Sequence, residues 1–363
     1  ELNNDKNSSQ DTFRRRYLKA LHNYTKNDTI IYFANFSAGV SNSNSISICL
    51  DDLSGFMTAL NNLHGEVLDL IIHSPGGQAE ATIQIVQYLR KKYKKIRAII
   101  PQNAMSAATM LACACDEIIM GKQSAIGPID PQIVIPFQNG TMNMPAHSIL
   151  KDFDKAKADV AHNPALANVW APKLMQIPFG IFDFCEKSIE AAKANVENWL
   201  NSYMFKDDEI KKGHEIADFL GNFDIHGSHG KPFNYEIAKE KGLKVSLLED
   251  DQTLQDKVLS VYHSCLLTFE FTACVKMIEA LGGEVVAETF QEGNSDFTSY
   301  ITSARNAGAE VFFAPVSTEA AALIIEQAAA QGLTIPILAG DTWDSNVILN
   351  AASAKDVDIY VTT

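Results

Sequence analysis

The chain has 363 residues, 46% hydrophobic and 20% charged, which describes a globular protein of one large or two ordinary domains. Its net charge of −14 gives no general basic field for nucleic acid. Six scattered cysteines, with Cys113 and Cys115 only two apart, read as reduced buried thiols, not as a metal or redox pair. No apolar run approaches the roughly 20 residues needed to span a bilayer. No charged-then-apolar leader appears either, so a cytoplasmic chain is expected. Because it starts at Glu1, the sequence reads as a fragment.

In chain order, residues 1–12 are polar, 12–24 predict a short helix and 29–36 a strand. A Ser/Asn loop occupies 39–48. "VLDLIIH" (67–73) predicts a buried strand, "SPGG" (74–77) a turn and 78–93 an amphipathic helix. "IRAII" (96–100) predicts a second strand, 101–105 a turn, 106–115 a helix and "EIIMG" (117–121) a third strand. Buried strands separated by helices of this length imply parallel crossovers and an α/β fold. The basic run "RKKYKKIR" (90–97) suits the solvated C-terminal end of a helix, where cations complement the dipole. Long helical patterns follow at 149–174, 179–205 and 207–223, then a loop with two histidines at 224–233. From about 281, Ala-rich helices alternate with short strands, a second parallel α/β pattern.

Ser106 opens a run of small and apolar residues. A serine in that place is ordinarily an N-cap. A nucleophile there would need exposure to substrate, a base for its proton and donors for an oxyanion. First-turn N–H groups such as that of Ala107 are unpaired by helix geometry, and a glycine such as Gly77 permits close backbone approach. Both turns follow strands of successive βα units, so they open at the same sheet edge, where ligands gather.

The segments "LIIHSPGGQAE", "IIPQNAMSAATMLACACDEIIMGKQSAIGPIDPQ", "PALANVWAPKL", "NSYMFK" and "SHGKPF" resemble the serine dehydrogenase proteinase family. These are relatives of signal peptide peptidase A in the Clp protease/crotonase superfamily. The resemblance covers roughly 29–279. It implies a Clp/crotonase-like spiral of ββα units with C-terminal helices, Ser106 as nucleophile, and the Gly77 and Ala107 amides as oxyanion hole. Two departures stand out: the Clp-type glycine two residues before the serine is Ala104, and the Clp-type base histidine has no clear counterpart downstream. Signal peptide peptidase relatives use a serine–lysine dyad. Lys151 lies 45 residues after Ser106, ahead of Lys155 and Lys157 as candidate. His147 is the alternative base, suited to neutral pH without burial. His226 and His229 lie far along the chain in a loop that matches the family but lacks a completing metal-ligand set. Asp130, in "GPIDPQ", reads as a turn-former between prolines in preference to a triad acid.

Residues 281–363 resemble part of one lobe of type I periplasmic binding proteins of the branched-chain amino-acid class, through "LGGEVVAETFQEGNSDFTSYITSARNAGAEVFFAP" and "AALIIEQAAAQGLTIPILAGDTWDS". Asp341 is the candidate ligand-binding residue there. The two families meet at "TACVKMIE" (272–279), read as a shared helix, and the join reads as a fused or misassembled reading frame.

The expected organisation is a tail and helix (1–25), a serine peptidase domain (26–275) and a partial binding-protein lobe (281–363). The expected activity is peptide-bond hydrolysis through an acyl-enzyme on Ser106, with Lys151 or His147 as base. No cofactor or metal is expected. The partners would be a polypeptide substrate and further copies of the chain, without nucleic acid. Kinship with signal peptide peptidases leaves room for membrane association without a transmembrane segment. The rival expectations are an amino-acid-binding protein of a transporter and an inactive scaffold.

Overall fold

A computed structural model describes residues 9–35, 43–61, 63–137, 140–208, 212–272, 274–280, 290, 293–306, 309, 311–340, 343–353, 355 and 357–361. The chain divides into two compact units: Tyr17–His263 with Val275–Gly283, and Glu1–Arg16 with Ser264–Cys274 and Glu284–Thr363.

The first of these units is built on a six-stranded sheet. After α1 (Ser9–Thr25) come β1 (Asp28–Ala34), the short helix α2 (Ser43–Ile46), α3 (Asp52–Ala59), β2 (Val67–His73), α4 (Ala79–Lys92) and β3 (Lys95–Ile100). A two-residue strand β4 (Asn103–Ala104) precedes α5 (Ala107–Cys113), β5 (Glu117–Met120) and the short β6 (Ala125–Ile126). Strands β1, β2, β3 and β5 run parallel. Their residues alternate between two buried faces. Ile30, Tyr32, Leu68, Leu70, Ile72, Ala98 and Ile100 pack into one core with α3, α4 and α5. Ile31, Phe33, Ile71 and Ile99 are equally buried. Burial on both faces is why these strands read as continuous apolar runs without alternation. Helix α4 turns Ala81, Ile85 and Leu89 inward at helical spacing, and its last turn carries Arg90, Lys91 and Lys92.

The basic run is absorbed by carboxylates of the same unit. Arg90 pairs with Asp116 at 2.8 Å, Lys95 with Glu117 at 3.1 Å and Arg97 with Asp69 at 2.6 Å, while Lys94 pairs with Glu66.

Beyond β6, the antiparallel hairpin β7 (Gln132–Phe137) and β8 (Gly140–Pro145) leads into α6 (Ala146–His162). The pattern at 149–174 is not one helix. It breaks at Asn163, whose side chain caps a 3-10 turn (Pro164–Leu166), and continues as α7 (Ala167–Leu174). Then come α8 (Ile181–Trp199), a π turn (Leu200–Met204), α9 (Gly213–Gly221) and α10 (Phe223–His226). Next are α11 (Tyr235–Glu240), β9 (Val245–Leu247), a 3-10 turn (Leu248–Asp250) and α12 (Gln252–Phe271). Strand β9 extends the sheet beside β5 in parallel. Tyr262 of α12 packs against Phe33 and His73, with ring centroids 5.9 and 5.3 Å apart.

The expected helix at 272–279 is instead strand β10 (Lys276–Ala280), antiparallel to β1 from Ile30↔Ala280 to Ala34↔Lys276. It closes the sheet, whose order is β10-β1-β2-β3-β5-β9. Met277 and Ala280 are buried, an edge-strand arrangement that outweighs the helix propensity of "KMIEA". Lys276 also reaches inward: its Nζ donates to Asp52 Oδ1 at 2.7 Å and to Ser47 O at 2.9 Å. Asp52 in turn accepts from Tyr32 Oη at 2.7 Å and from the Cys49 amide at 3.0 Å. This buried network pins residues 47–49.

The second unit contains α13 (Thr298–Asn306), β11 (Phe312–Phe313), α14 (Thr318–Ala330), β12 (Ile337–Ala339), α15 (Asn346–Ala352) and β13 (Ile359–Val361). Its three strands are parallel in sequence order. Phe297, Ile301, Ile324, Ile325, Leu333, Ile337 and Trp343 form its core. The alternation of helix and parallel strand agrees with the pattern read from 296 onward. The strand expected from "GEVVAETF" lies outside the described residues but for Phe290, and Asp341 lies outside them as well.

Candidate active site

Ser106 sits at the corner between β4 and α5 with φ 53° and ψ −121°. Among the described residues only Lys26 shares a positive φ without being glycine. A side chain held in that region costs on the order of 1–3 kcal/mol and persists only where its surroundings impose it. An N-capping serine would have extended backbone and would accept a first-turn N–H. Ser106 does neither, as its side chain makes no capping hydrogen bond. The ordinary N-cap reading is therefore replaced: the hydroxyl is half-buried and uncommitted to the helix. Every residue of α5 beneath it is buried, which is where the small side chains of 107–114 are used.

The "SPGG" turn is laced to this corner. Ser74 N donates to Asn103 O at 2.9 Å, and Met105 N donates to Ser74 O at 3.0 Å. Gly76, at φ 99°, approaches so closely that a Cβ would lie 2.6 Å from Met105 O, 2.7 Å from Ser106 Cβ and 2.8 Å from Ala107 N. Gly77 leans on the pinned 47–49 segment, where a Cβ would lie 2.3 Å from Ile48 N and O. Ile48 N donates to Gly76 O at 2.8 Å and Gln78 N to Ile48 O at 2.9 Å. In a parallel bridge that bonds residues 76 and 78, the amide of 77 points away from Ile48. Among the described residues, neither the Gly77 nor the Ala107 N–H donates a hydrogen bond. Gly77 is next in the chain to Gly76, which approaches Ser106, and Ala107 follows the serine directly.

The expected bases lie in different surroundings. Lys151, in the second turn of α6, is 71% exposed and pairs with Asp224 at 2.9 Å. Lys157 pairs with Asp154 at 2.6 Å, and Lys155 faces a groove between α6 and α7 lined by Asp152, Asp159, Trp170 and Lys173. None of these three is in the desolvated setting a neutral lysine requires. His147 lies in the first turn of α6, half-buried, and its buried Nδ1 has no partner among the described residues. Desolvation, reinforced by the Lys193 ammonium, holds its pKa below the ordinary imidazole value against the opposing pull of Asp130 and Asp224.

Two features escaped the sequence reading. Gly76 was passed over for its neighbour, although the doubled glycine was the signal. The second is a histidine–carboxylate pair: Asp130 is not a turn-former but a buried group, its side chain 0% exposed, that accepts from His229 Nδ1 at 2.8 Å. The other Asp130 oxygen accepts from Gln132 Nε2 at 2.7 Å. His226, by contrast, bonds Phe219 O and packs between Phe219 and Phe233. The thiols nearest in sequence to the corner are inert. Cys113 and Cys115 are fully buried, and burial raises both, Cys115 to about 12.

Residues 48–264, more than half of the chain, match the family model of ClpP-like SDH-type serine proteinases. The chain belongs to this family. The first unit accordingly carries the Clp/crotonase-like α/β fold of the SDH-type proteinases. Residues 271–363, which hold α13 to β13, match a periplasmic binding protein model. An uncharacterized protein of Methanocaldococcus jannaschii is 34% identical over 180 residues, which cover 49% of this chain and 53% of that protein. A second uncharacterized protein of the same organism is 33% identical over 179 residues, covering 49% of this chain and 52% of its own length. The proteinase chain thus spans about half the length of the curated relatives it matches. Solved structures similar to it include a membrane-bound stomatin-specific protease in a serine-to-alanine form. That structure is 17% identical, over 58% of this chain and 79% of the other, with a TM-score of 0.35. A lysine-to-alanine form of that protease with a substrate peptide is 19% identical, over 58% and 75%, with a TM-score of 0.34. A ClpP1 mutant from Listeria monocytogenes is 11% identical, over 65% and 99%, also at 0.34. Among the described residues, no helix is long and apolar enough to cross a membrane.

Proposed function

We propose that this SDH-type proteinase hydrolyses peptide bonds through an acyl-enzyme on Ser106, with the Gly77 and Ala107 amides holding the oxyanion. The observation that carries this reading is the backbone of Ser106. A hydroxyl is fixed in a costly conformation, released from helix capping and approached by a glycine turn, and among the described residues neither the Gly77 nor the Ala107 N–H donates a hydrogen bond. Attack of Ser106 Oγ on the scissile carbonyl would place the developing charge between those donors, each worth on the order of 10²–10³ in rate. The proton passes to a neutral imidazole, a better acceptor at pH 7 than the exposed, carboxylate-paired Lys151. The substrate class is polypeptide, and self-association of the folded unit is part of the proposal by family kinship.

The test is labelling by a serine-reactive fluorophosphonate. The parent protein should be labelled at Ser106, and Ser106→Ala should lose the label together with peptidase activity. Equal labelling of both proteins overturns the assignment.

A further inference from the structure

We infer that oxidation of Cys49 joins it to Lys276 through a reversible covalent S–N link, and that this link slows the serine corner from behind. The link is read from side-chain geometry alone, and its effect on Ser106 rests on the reading above. Lys276 Nζ lies 3.5 Å from Cys49 Sγ, held there by Ser47 O at 2.9 Å and Asp52 Oδ1 at 2.7 Å. Cys49 is anchored to the same carboxylate, since its amide donates to Asp52 Oδ2 at 3.0 Å. Tyr32 Oη donates to that oxygen as well, at 2.7 Å, and fixes the carboxylate in turn. One buried group thus holds the sulfur and the nitrogen in contact.

Exposure singles out this thiol. Cys113, Cys115, Cys185 and Cys265 are buried, whereas Cys49 and Cys274 are partly exposed. Leu50, next in the chain, is 49% exposed, so a small oxidant reaches the sulfur from solvent. The side chains of Lys276 and Asp52 are only 14% and 6% exposed, which keeps most water from the nitrogen. A partly exposed cysteine beside a lysine is the setting in which thiols react. Cys49 lies inside the proteinase match at 48–264 and Lys276 beyond it, so the pair spans that boundary within one sheet.

The oxidant is a hydroperoxide. With hydrogen peroxide, the sulfur attacks one oxygen, the O–O bond breaks, and the thiol becomes a sulfenic acid. The sulfur loses two electrons, the peroxide gains them, and the thiol proton leaves in the water formed. Lys276 then passes one ammonium proton to Asp52, and the freed nitrogen pair attacks the sulfenyl sulfur. The S–O bond breaks, and the departing hydroxide takes a second proton from nitrogen and leaves as water. An S–N bond remains, with one hydrogen on nitrogen; sulfenic acids condense with nitrogen and with thiols in this way. A dithiol reverses the step: its thiolate attacks the sulfur, the S–N bond breaks, and the amine and the Cys49 thiol are restored as the reductant closes its own disulfide.

Closing the 3.5 Å gap to a bond draws Cys49 toward β10 and takes the cation from Asp52. Ile48, the preceding residue, is bonded to the glycine turn in both directions, to Gly76 O at 2.8 Å and from Gln78 N at 2.9 Å. The displacement is therefore delivered to Gly76, whose close approach to Ser106 sets the corner.

The experiment treats the full chain with hydrogen peroxide, for the parent, Cys49→Ser, Cys274→Ser and Lys276→Arg. The arginine keeps a cation for Asp52 without a nucleophilic amine. Thermal unfolding checks that each is folded, and each is compared with its own untreated sample. The treated parent should become lighter by two hydrogen atoms, and peptide mapping without reductant should join the Cys49 and Lys276 peptides until dithiothreitol separates them. Cys274→Ser should do the same, and Cys49→Ser and Lys276→Arg should not. The linked parent should label with fluorophosphonate about 10- to 10²-fold more slowly than before treatment and recover with dithiothreitol. The link is overturned if the parent carries only oxygen adducts on Cys49, if Lys276→Arg still loses two hydrogens, or if Cys49 is joined to Cys274. A linked parent that labels at its untreated rate overturns the control of the corner. If the untreated parent is not labelled at Ser106, it is the Ser106 reading that fails, and the masses alone decide the link.

Discussion

Gly76→Ala puts the close packing at the serine corner to a direct test. The new methyl group would meet Met105 O, Ser106 Cβ and Ala107 N at 2.6–2.8 Å, two of them backbone atoms that cannot swing aside. The residue must also hold φ 99°, a conformation costing an L-residue about 1–2 kcal/mol. Overpacking a well-filled site adds typically about 1–3 kcal/mol, so a total of about 3 kcal/mol is expected. In a unit of this size that lowers Tm by roughly 6–12 °C. Relief of the clash also pushes Ser106 away from the Gly77 amide, and a shift approaching 1 Å slows fluorophosphonate labelling by up to about 10²-fold. Gly227→Ala is the comparison: it has φ 68° but nothing within 4 Å of its Cβ position. It should cost only about 1 kcal/mol and leave labelling unchanged. Calorimetry and labelling on the two variants separate backbone strain from contact. If Gly76→Ala melted and labelled like Gly227→Ala, the close approach argued for the corner would be refuted.

Arg97→Met should destabilise the first unit by about 3–5 kcal/mol in urea unfolding, because it leaves the fully buried Asp69 carboxylate, among the described residues, with the Asn27 amide and no cation. Lys94→Ala, on an exposed pair, should cost no more than about 1 kcal/mol; equal losses would refute the distinction. Burial lowers the His73 pKa from 6.5 to about 4, so the unfolded chain takes up the proton first as pH falls. Stability present above pH 6.5 is then lost progressively toward pH 4, by up to about 3 kcal/mol, and His73→Leu should flatten that part of the urea-midpoint profile. Lys276→Met leaves Asp52 buried and short of its cation, which should cost about 3–5 kcal/mol. It should also slow labelling by about tenfold by loosening the 47–49 segment behind Gly77. Unfolding with unchanged labelling would dissociate that network from the site.

The sheet was legible because its strands are buried on both faces, so apolar runs such as 67–73 carry the signal without needing partners to be known. The turn at 74–77 and the corner at Ser106 were legible because each lies within four residues of a strand end, where local turn chemistry and the crossover rule fix position. The histidine–carboxylate pair was not. His229 and Asp130 stand 99 residues apart and meet through a β-bridge of Phe233 to Ile126, a pairing that leaves no periodicity to read. Spacing from Ser106 favoured Lys151, but spacing along a helix does not decide which face meets solvent, and Lys151 faces outward to Asp224. The β7–β8 hairpin did carry a signal, the dipeptide Asn139–Gly140 in the sequence, although no strand was expected between 121 and 149. The break at Asn163 was likewise written in "HNP", a capping residue before proline.

The junction between the two matches has a physical consequence for the first unit. Strand β10 falls inside the stretch that matches the binding-protein model, yet it pairs with β1 over five residues and belongs to the first sheet. Without it, β1 would be an edge strand whose residues are all buried and largely apolar, the kind of edge that pairs with another chain. Lys276 of the same strand supplies the cation that neutralises Asp52 and fixes Ser47 O, and so holds Ile48 against Gly77. A chain of contacts thus runs from the family boundary to the proposed oxyanion amide: Lys276 to Asp52, Asp52 to the Cys49 amide, Ile48 to Gly77. The position of Gly77 thus leans on residues beyond the end of the proteinase match, so sequence similarity alone draws the first unit too short.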